Sequence, residues 1–100
     1  MPTYGSTAAF IRMLRRLTKR QQQQFYKARD LFVAELKAQG FTPPLHPSLR
    51  LHKLQGHDVW SISFGDGLRA AFTVGNEVKK GEVHIVWEFI GTHNEYERIY

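Results

Sequence analysis

The sequence predicts an α+β fold: an N-terminal helical hairpin packed on an antiparallel sheet of three to four strands. Three observations carry that expectation. Apolar residues recur at helical spacing up to Gln39, they alternate with period two from Val59 onward, and a Gly65-Asp66-Gly67 turn joins two of the alternating runs. Two helices followed by a meander bury their apolar faces most simply by covering one side of it.

From Thr7 to about Leu17, Phe10, Ile11, Leu14 and Leu17 form an apolar stripe, while Arg12, Arg15, Arg16 and Lys19 fall mainly on the other faces. Ser6 or Thr7 can cap this helix, since a hydroxyl accepts from an orphan backbone N–H. A second helix is predicted from near Thr18 to Gln39, with Phe25, Ala28, Leu31, Phe32 and Leu36 on its buried stripe and Gly40 as C-cap. The glutamines from Gln21 to Gln24 read as solvated helix surface. Phe41 to Pro47 is expected to be an extended, non-helical crossing loop, because each proline removes a donor and biases its predecessor away from the helix.

Val59 to Phe64 and Leu68 to Val74 read as two strands of a hairpin around the glycine-bearing turn. In the second of them Leu68, Ala70, Phe72 and Val74 are expected to face the helices, turning Arg69, Ala71 and Thr73 outward. Val83 to Ile90, β-branched and aromatic, is the predicted central strand. Strict alternation would place Val83, Ile85, Trp87 and Phe89 on one face and His84, Val86, Glu88 and Ile90 on the other. Tyr4 falls in a short N-terminal edge strand, the fourth of the sheet.

One hundred residues with 42% hydrophobic content suit a single domain spanning residues 1 to 100. Without cysteine, disulfides and thiolate metal sites are excluded. There is no charged segment leading into an apolar stretch at the N-terminus and no apolar run of membrane-spanning length, so a soluble, cytoplasmic protein without a membrane partner is expected. The net charge of +5 is uneven, with +7 over residues 1 to 69 and −2 over residues 70 to 100. Such a basic face attracts polyanions such as phosphate backbones.

Chemistry concentrates at the end of the chain. His93, Glu95, Tyr96, Glu97 and Arg98 follow the predicted central strand directly, and a histidine held just past a strand end suits proton transfer near neutral pH. Arg69, projecting from an open sheet face, is a candidate phosphate ligand, with a surface ion pair to Asp66 or Glu88 as the alternative. His46 reads as loop surface and His84 as a strand residue paired with Glu88. No two histidines have compact ligand spacing with an acidic partner, so neither a metal nor a cofactor is expected. The aromatics follow helix or strand periods and read as core, except that Trp60 stands near Lys53 and Asp58.

Four segments in order, His52-Lys53-Leu54-Gln55-Gly56, Asp58-Val59-Trp60-Ser61-Ile62, Gly67-Leu68-Arg69-Ala70-Ala71-Phe72 and Ile90-Gly91-Thr92-His93-Asn94-Glu95-Tyr96, resemble the RelE/ParE superfamily of type II toxins. The pattern is most similar to its YafQ-like and HigB-like branches. The resemblance implies a compact domain that cleaves mRNA, usually in the ribosomal A site, and is silenced by a cognate antitoxin. It assigns His93 as general acid or base, Arg69 to the transition-state phosphate, Tyr96 to stacking on a base or holding the scissile nucleotide, and Lys53 to positive charge or proton transfer. His52, His57, Asp58, Trp60, Arg50 and Arg98 make up the expected substrate-binding set.

The expected function is thus that of a metal-independent endoribonuclease toxin that inhibits translation, with mRNA, the ribosome and an acidic antitoxin as partners. An exposed edge strand or the cationic helix face would accept the antitoxin. A ParE-like gyrase inhibitor and a non-catalytic basic RNA-binding module are the alternatives; neither needs the proton donor that His93 provides. Glu95 and Glu97 read as the solvated face of a short terminal turn.

Overall fold

Threonine caps set the helix starts. Thr7 accepts from the backbone N–H of Phe10 to open α1 (Ala8–Arg16), and Thr18 opens α2 (Lys19–Gln39) through a reciprocal capping box with Gln21. The computed structural model describes residues 3–41, 44–54 and 58–100. The helices are flanked by β1 (Thr3–Ser6) before and β2 (His52–Lys53), β3 (Val59–Phe64), β4 (Leu68–Gly75) and β5 (His84–Thr92) after, and α3 (His93–Ile99) closes the chain. Pro47–Leu49 forms one 3₁₀ turn, with proline at its first position where a missing donor costs nothing. No helix among the described residues is long and apolar enough to cross a membrane.

The glutamine run is structural rather than merely solvated. Gln21 completes the α2 cap, and Gln22 donates to the carbonyls of Leu14 and Leu17 at 3.0 and 3.2 Å, satisfying the end of α1. Gln24 presses on the β3–β4 turn, where a Cβ at Gly65 would lie 2.5 Å from its Oε1; with φ +53° that position requires glycine.

The sheet runs β1-β5-β4-β3-β2. It has five strands and is mixed, correcting the expectation of three to four antiparallel strands. β1 pairs parallel with β5, from Thr3 opposite His84 to Ser6 opposite Trp87; the two helices that follow β1 provide the long connection that parallel neighbours need. β2, only two residues long, pairs with β3 and is too short to show an alternation in sequence. His84 does not pair with Glu88 as expected but meets the Thr3 hydroxyl through Nδ1 at 2.7 Å, tying β1 to β5.

Under the helices lies a cluster of aromatic rings. Trp87 packs on Phe10, Phe25, Phe32 and Phe72 with centroid separations of 5.3 to 6.0 Å, mostly edge-on as ring quadrupoles favour. Leu68, Ala70 and Phe72 of β4 face this core as predicted, whereas Val74 is exposed.

In β5 the predicted alternation breaks. Phe72 pairs with Trp87 and Ala71 with Phe89, which leaves Glu88 as an extra residue. This bulge carries Phe89 to the far face of the sheet, where it packs with Ala71 and Tyr96, and turns Ile90 into the helix-side core. Both residues therefore lie on the face opposite to the one strict alternation predicted.

Trp87→Ala, which opens a cavity among four aromatic neighbours, is expected to lower unfolding free energy by about 3–5 kcal/mol in urea titration.

Candidate active site

β4 and α3 build the site. Arg69 sits opposite Gly91 in the β4–β5 ladder, on the face away from α1 and α2. Gly91 leaves room here for two neighbours, since a Cβ would come within 2.9 Å of Glu95 Oε1 and 3.1 Å of the Phe89 ring and would press on both. The chain then turns immediately into α3. Thr92 and Glu95 form a capping box, and the His93 backbone N–H donates to the Gly67 carbonyl at 2.9 Å, docking the helix start on the β3–β4 turn.

This places the His93 ring against Arg69. The guanidinium Nε–H donates to His93 Nδ1 at 2.9 Å, and Nη1 donates to Ser61 Oγ at the same distance. Ser61 is fully buried, so its hydroxyl is a fixed anchor. On the other side of the ring, His93 Nε2 lies 2.8 Å from Glu97 Oε1, one helical turn on. Arginine can only donate, so Nδ1 is the acceptor; the ring hydrogen therefore sits on Nε2 and is donated to Glu97. The Tyr96 ring supports the guanidinium from below at 5.3 Å.

Arg69 and His93 border an open cleft of 480 Å³, lined also by Ser48, Arg50, Ser63, Phe64, Gly65, Gly67 and Leu68. Its lining carries two guanidinium groups and no carboxylate, a donor set suited to an anion rather than a divalent cation. Arg50 enters from the residue after the 3₁₀ turn with φ +47° and ψ +49°, the left-handed region. Among the described residues no group of three or more His, Asp or Glu side chains could hold a metal ion.

The geometry joins some of the candidate residues and separates others. His93, Arg69 and Arg50 share the cleft. Tyr96 is only 5% exposed, packed on Phe89 and Tyr100 beneath Arg69, so it supports the arginine instead of presenting a stacking face to a nucleotide. Lys53 stands opposite Trp60 in the β2–β3 pair, with Nζ 5.7 Å from the indole. Trp60 is packed edge-on against Phe41, so this pair is on the helix side of the sheet, away from Arg69 and His93. The period of two decides this: His52, opposite Ser61, falls on the Arg69 face, and Lys53 does not. Asp58 and Arg98 are exposed at the start of β3 and on α3. His57 lies outside the described residues.

Neither alternative ion pair for Arg69, to Asp66 or to Glu88, forms; its partners are His93 and Ser61. Ser61 and Glu97 are the residues that sequence reasoning missed. A serine in a strand carries no distinguishing signal, and the i,i+4 spacing of Glu97 from His93 brings the two side chains together only where those residues are helical, as in α3. Glu95, read as solvated surface, is a cap. The Thr92 backbone N–H and hydroxyl hold its carboxyl below the ordinary value of 4.5, with Arg98 and Arg16 adding to this and burial opposing it.

No protein-family model matches the sequence, and no curated protein matches it. Solved structures do. Over 96% of this chain and 98% of the other, it is similar to YafQ from E. coli strain BL21(DE3), with TM-score 0.65 and 13% identity. It is similar to a chain of the intact E. coli RelBE toxin–antitoxin complex over 92% of this chain and 96% of that one, with TM-score 0.60 and 17% identity. Similarity to a chain of the RelB–RelE antitoxin–toxin complex from Methanococcus jannaschii covers 96% and 98%, with TM-score 0.61 and 14% identity. The chain has the fold of the RelE-superfamily toxins.

Because the Glu95 carboxyl is depressed in the folded state, its stabilisation of α3 is present above the ordinary carboxyl value and is lost as pH falls through the depressed one. Amide hydrogen exchange is expected to show α3 losing protection on acidification, and Glu95→Gln is expected to abolish that pH dependence.

Proposed function

We propose that this protein is the toxin of a type II toxin–antitoxin system, an endoribonuclease that cleaves mRNA on the ribosome and so inhibits translation. The observation that carries this reading is the pairing of Arg69 with His93 at 2.9 Å on the rim of a cationic cleft. The RelE-type fold supports the toxin assignment.

RNA cleavage by its own 2′-hydroxyl needs a group to move a proton, positive charge for the phosphorane and a held substrate. His93 moves the proton. Arg69 offers a planar fork to the non-bridging oxygens, and its anchoring by Ser61 and Tyr96 means that it needs little reorganisation as charge develops. Arg50, across the cleft, adds charge for the neighbouring phosphate, and His52 and Arg98 extend the binding surface. Lys53 and Trp60 face away from this centre, and Lys53 and the exposed Asp58 contact a more distant part of the RNA or ribosome. These side chains supply proton transfer and charge stabilisation themselves, so the reaction proceeds without a metal. The cognate antitoxin is acidic and masks the cationic α1 face with Arg12, Arg15 and Arg16.

Induced expression is expected to arrest growth, with new mRNA 5′ ends mapped within coding regions. His93→Ala should lower cleavage by about 10²–10⁴-fold, and Arg69→Ala should lose it while remaining folded and antitoxin-competent. Intact transcripts together with DNA damage on wild-type induction would overturn the ribonuclease reading in favour of gyrase inhibition. Full cleavage by Arg69→Ala would remove that residue from the site.

A further inference from the structure

In the free protein both nitrogens of the His93 ring are engaged, Nδ1 by Arg69 and Nε2 by Glu97. A ring occupied on both sides cannot accept a substrate proton until one partner leaves. Which one leaves follows from the chemistry of the guanidinium. Nη1 is tied to the buried Ser61, whereas Nε, together with Nη2, forms the side edge that grips two oxygens of a phosphate. Nη2 has no hydrogen bond to the described residues, so a phosphodiester arriving at this edge needs only to take Nε–H from His93. The same event that binds the phosphate exposes the Nδ1 lone pair.

Resting on the ribonuclease reading above, we infer that Glu97 is the positioning residue that makes His93 a general base through Nδ1, and that phosphate binding to Arg69 releases that base. Glu97 keeps the ring hydrogen on Nε2 and stabilises the imidazolium that forms. The Nδ1 atom takes the 2′-hydroxyl proton, the 2′-oxygen bonds to phosphorus, and the bond from phosphorus to the 5′-oxygen breaks. The departing 5′-oxygen takes a proton from water, leaving a 2′,3′-cyclic phosphate and a 5′-hydroxyl, and the imidazolium returns its proton to solvent. This orientation resolves the choice between acid and base for His93, because a ring with its hydrogen on Nε2, donated to a carboxylate, has only a lone pair to offer the cleft.

The charged groups facing His93 are Arg69 from β4, Glu97 from α3 and Arg50 across the cleft; Ser48 and Ser63 contribute no charge. Glu97 alone among them favours the imidazolium. Replacing it by glutamine preserves an acceptor for Nε2–H and removes the negative charge beside the imidazolium formed during proton transfer.

Two measurements on the full chain test this. Nitrogen-15 NMR of the His93 ring is expected to show the Nε2–H tautomer. A 2′-O-methyl RNA trinucleotide, which cannot cleave, should shift the Arg69 Nε–H and His93 Nδ1 signals together. In single-turnover cleavage of ribosome-bound mRNA, Glu97→Gln should bind with unchanged affinity and cut about tenfold or more slowly, a smaller effect than loss of a buried orienting carboxylate. The acid limb of its pH–rate profile should move to lower pH, which a merely structural role for Glu97 would not produce. A ring hydrogen on Nδ1 in wild type, or a Glu97→Gln rate and acid limb equal to wild type, would overturn the inference. If wild type fails to cut RNA at all, the ribonuclease reading falls and the base role with it. The tautomer measurement then still decides whether Glu97 positions the ring.

Discussion

One extra residue in β5 determines how the two faces of this molecule relate. Up to Trp87 the strand serves the helix-side core; at Glu88 the ladder slips, and from Phe89 onward the strand has exchanged its faces. Had the alternation continued, Phe89 would compete with the aromatic rings already filling the space beneath α1 and α2, and Ile90 would face solvent. The bulge instead gives the far side of the sheet a small core of its own, Phe89 with Ala71 and Tyr96. It also brings Gly91 opposite Arg69, so that α3 can begin within reach of the arginine. Bulges bend strands and re-aim side chains, and here the side chains re-aimed are Phe89 and Ile90.

That second core is what makes the site rigid. Arg69 rests on the buried Tyr96 ring, is held at one end by the buried Ser61 and meets His93 at the other. His93 is in turn fixed by its own backbone bond to Gly67 and by the α3 capping box. The constraints come from β3, from the β3–β4 turn and from α3, so no single loop motion moves the pair apart. Preorganisation of this kind matters for the proposed cleavage, because donors already aimed at a developing charge need not reorient.

The periodic parts of this architecture were readable from the chain, and the non-periodic parts were not. Phe25, Phe32 and Leu36 on α2 and Ile62, Phe64, Leu68 and Phe72 on the hairpin reach the core where spacing placed them. A bulge leaves no trace in composition, which is why strict alternation puts Phe89 and Ile90 on the wrong faces. β1 and β2 are four and two residues long, too short for a pattern, so the parallel edge and the side on which Lys53 falls emerge only from the ladder. His93 and Arg69 stood out by residue type and position, but the sequence held no sign that they touch. Ser61 and Glu97 acquire meaning only once that contact exists.

Arg50 shows the same logic in the backbone. Its left-handed conformation, unique among the non-glycine residues described, costs an L-residue about 1–2 kcal/mol that glycine would largely avoid. The position ends a 3₁₀ turn whose first residue is proline and whose last, Leu49, is buried in the main core, so the geometry is imposed from both directions. Glycine would meet the backbone's needs and leave the cleft with one guanidinium in place of two. Strain that the neighbouring structure enforces, at a residue whose side chain lines the cleft, is the pattern expected where binding chemistry outweighs local stability. The cleft thus has one cation on a rigid strand, preset against its histidine, and a second on a turn constrained to face it.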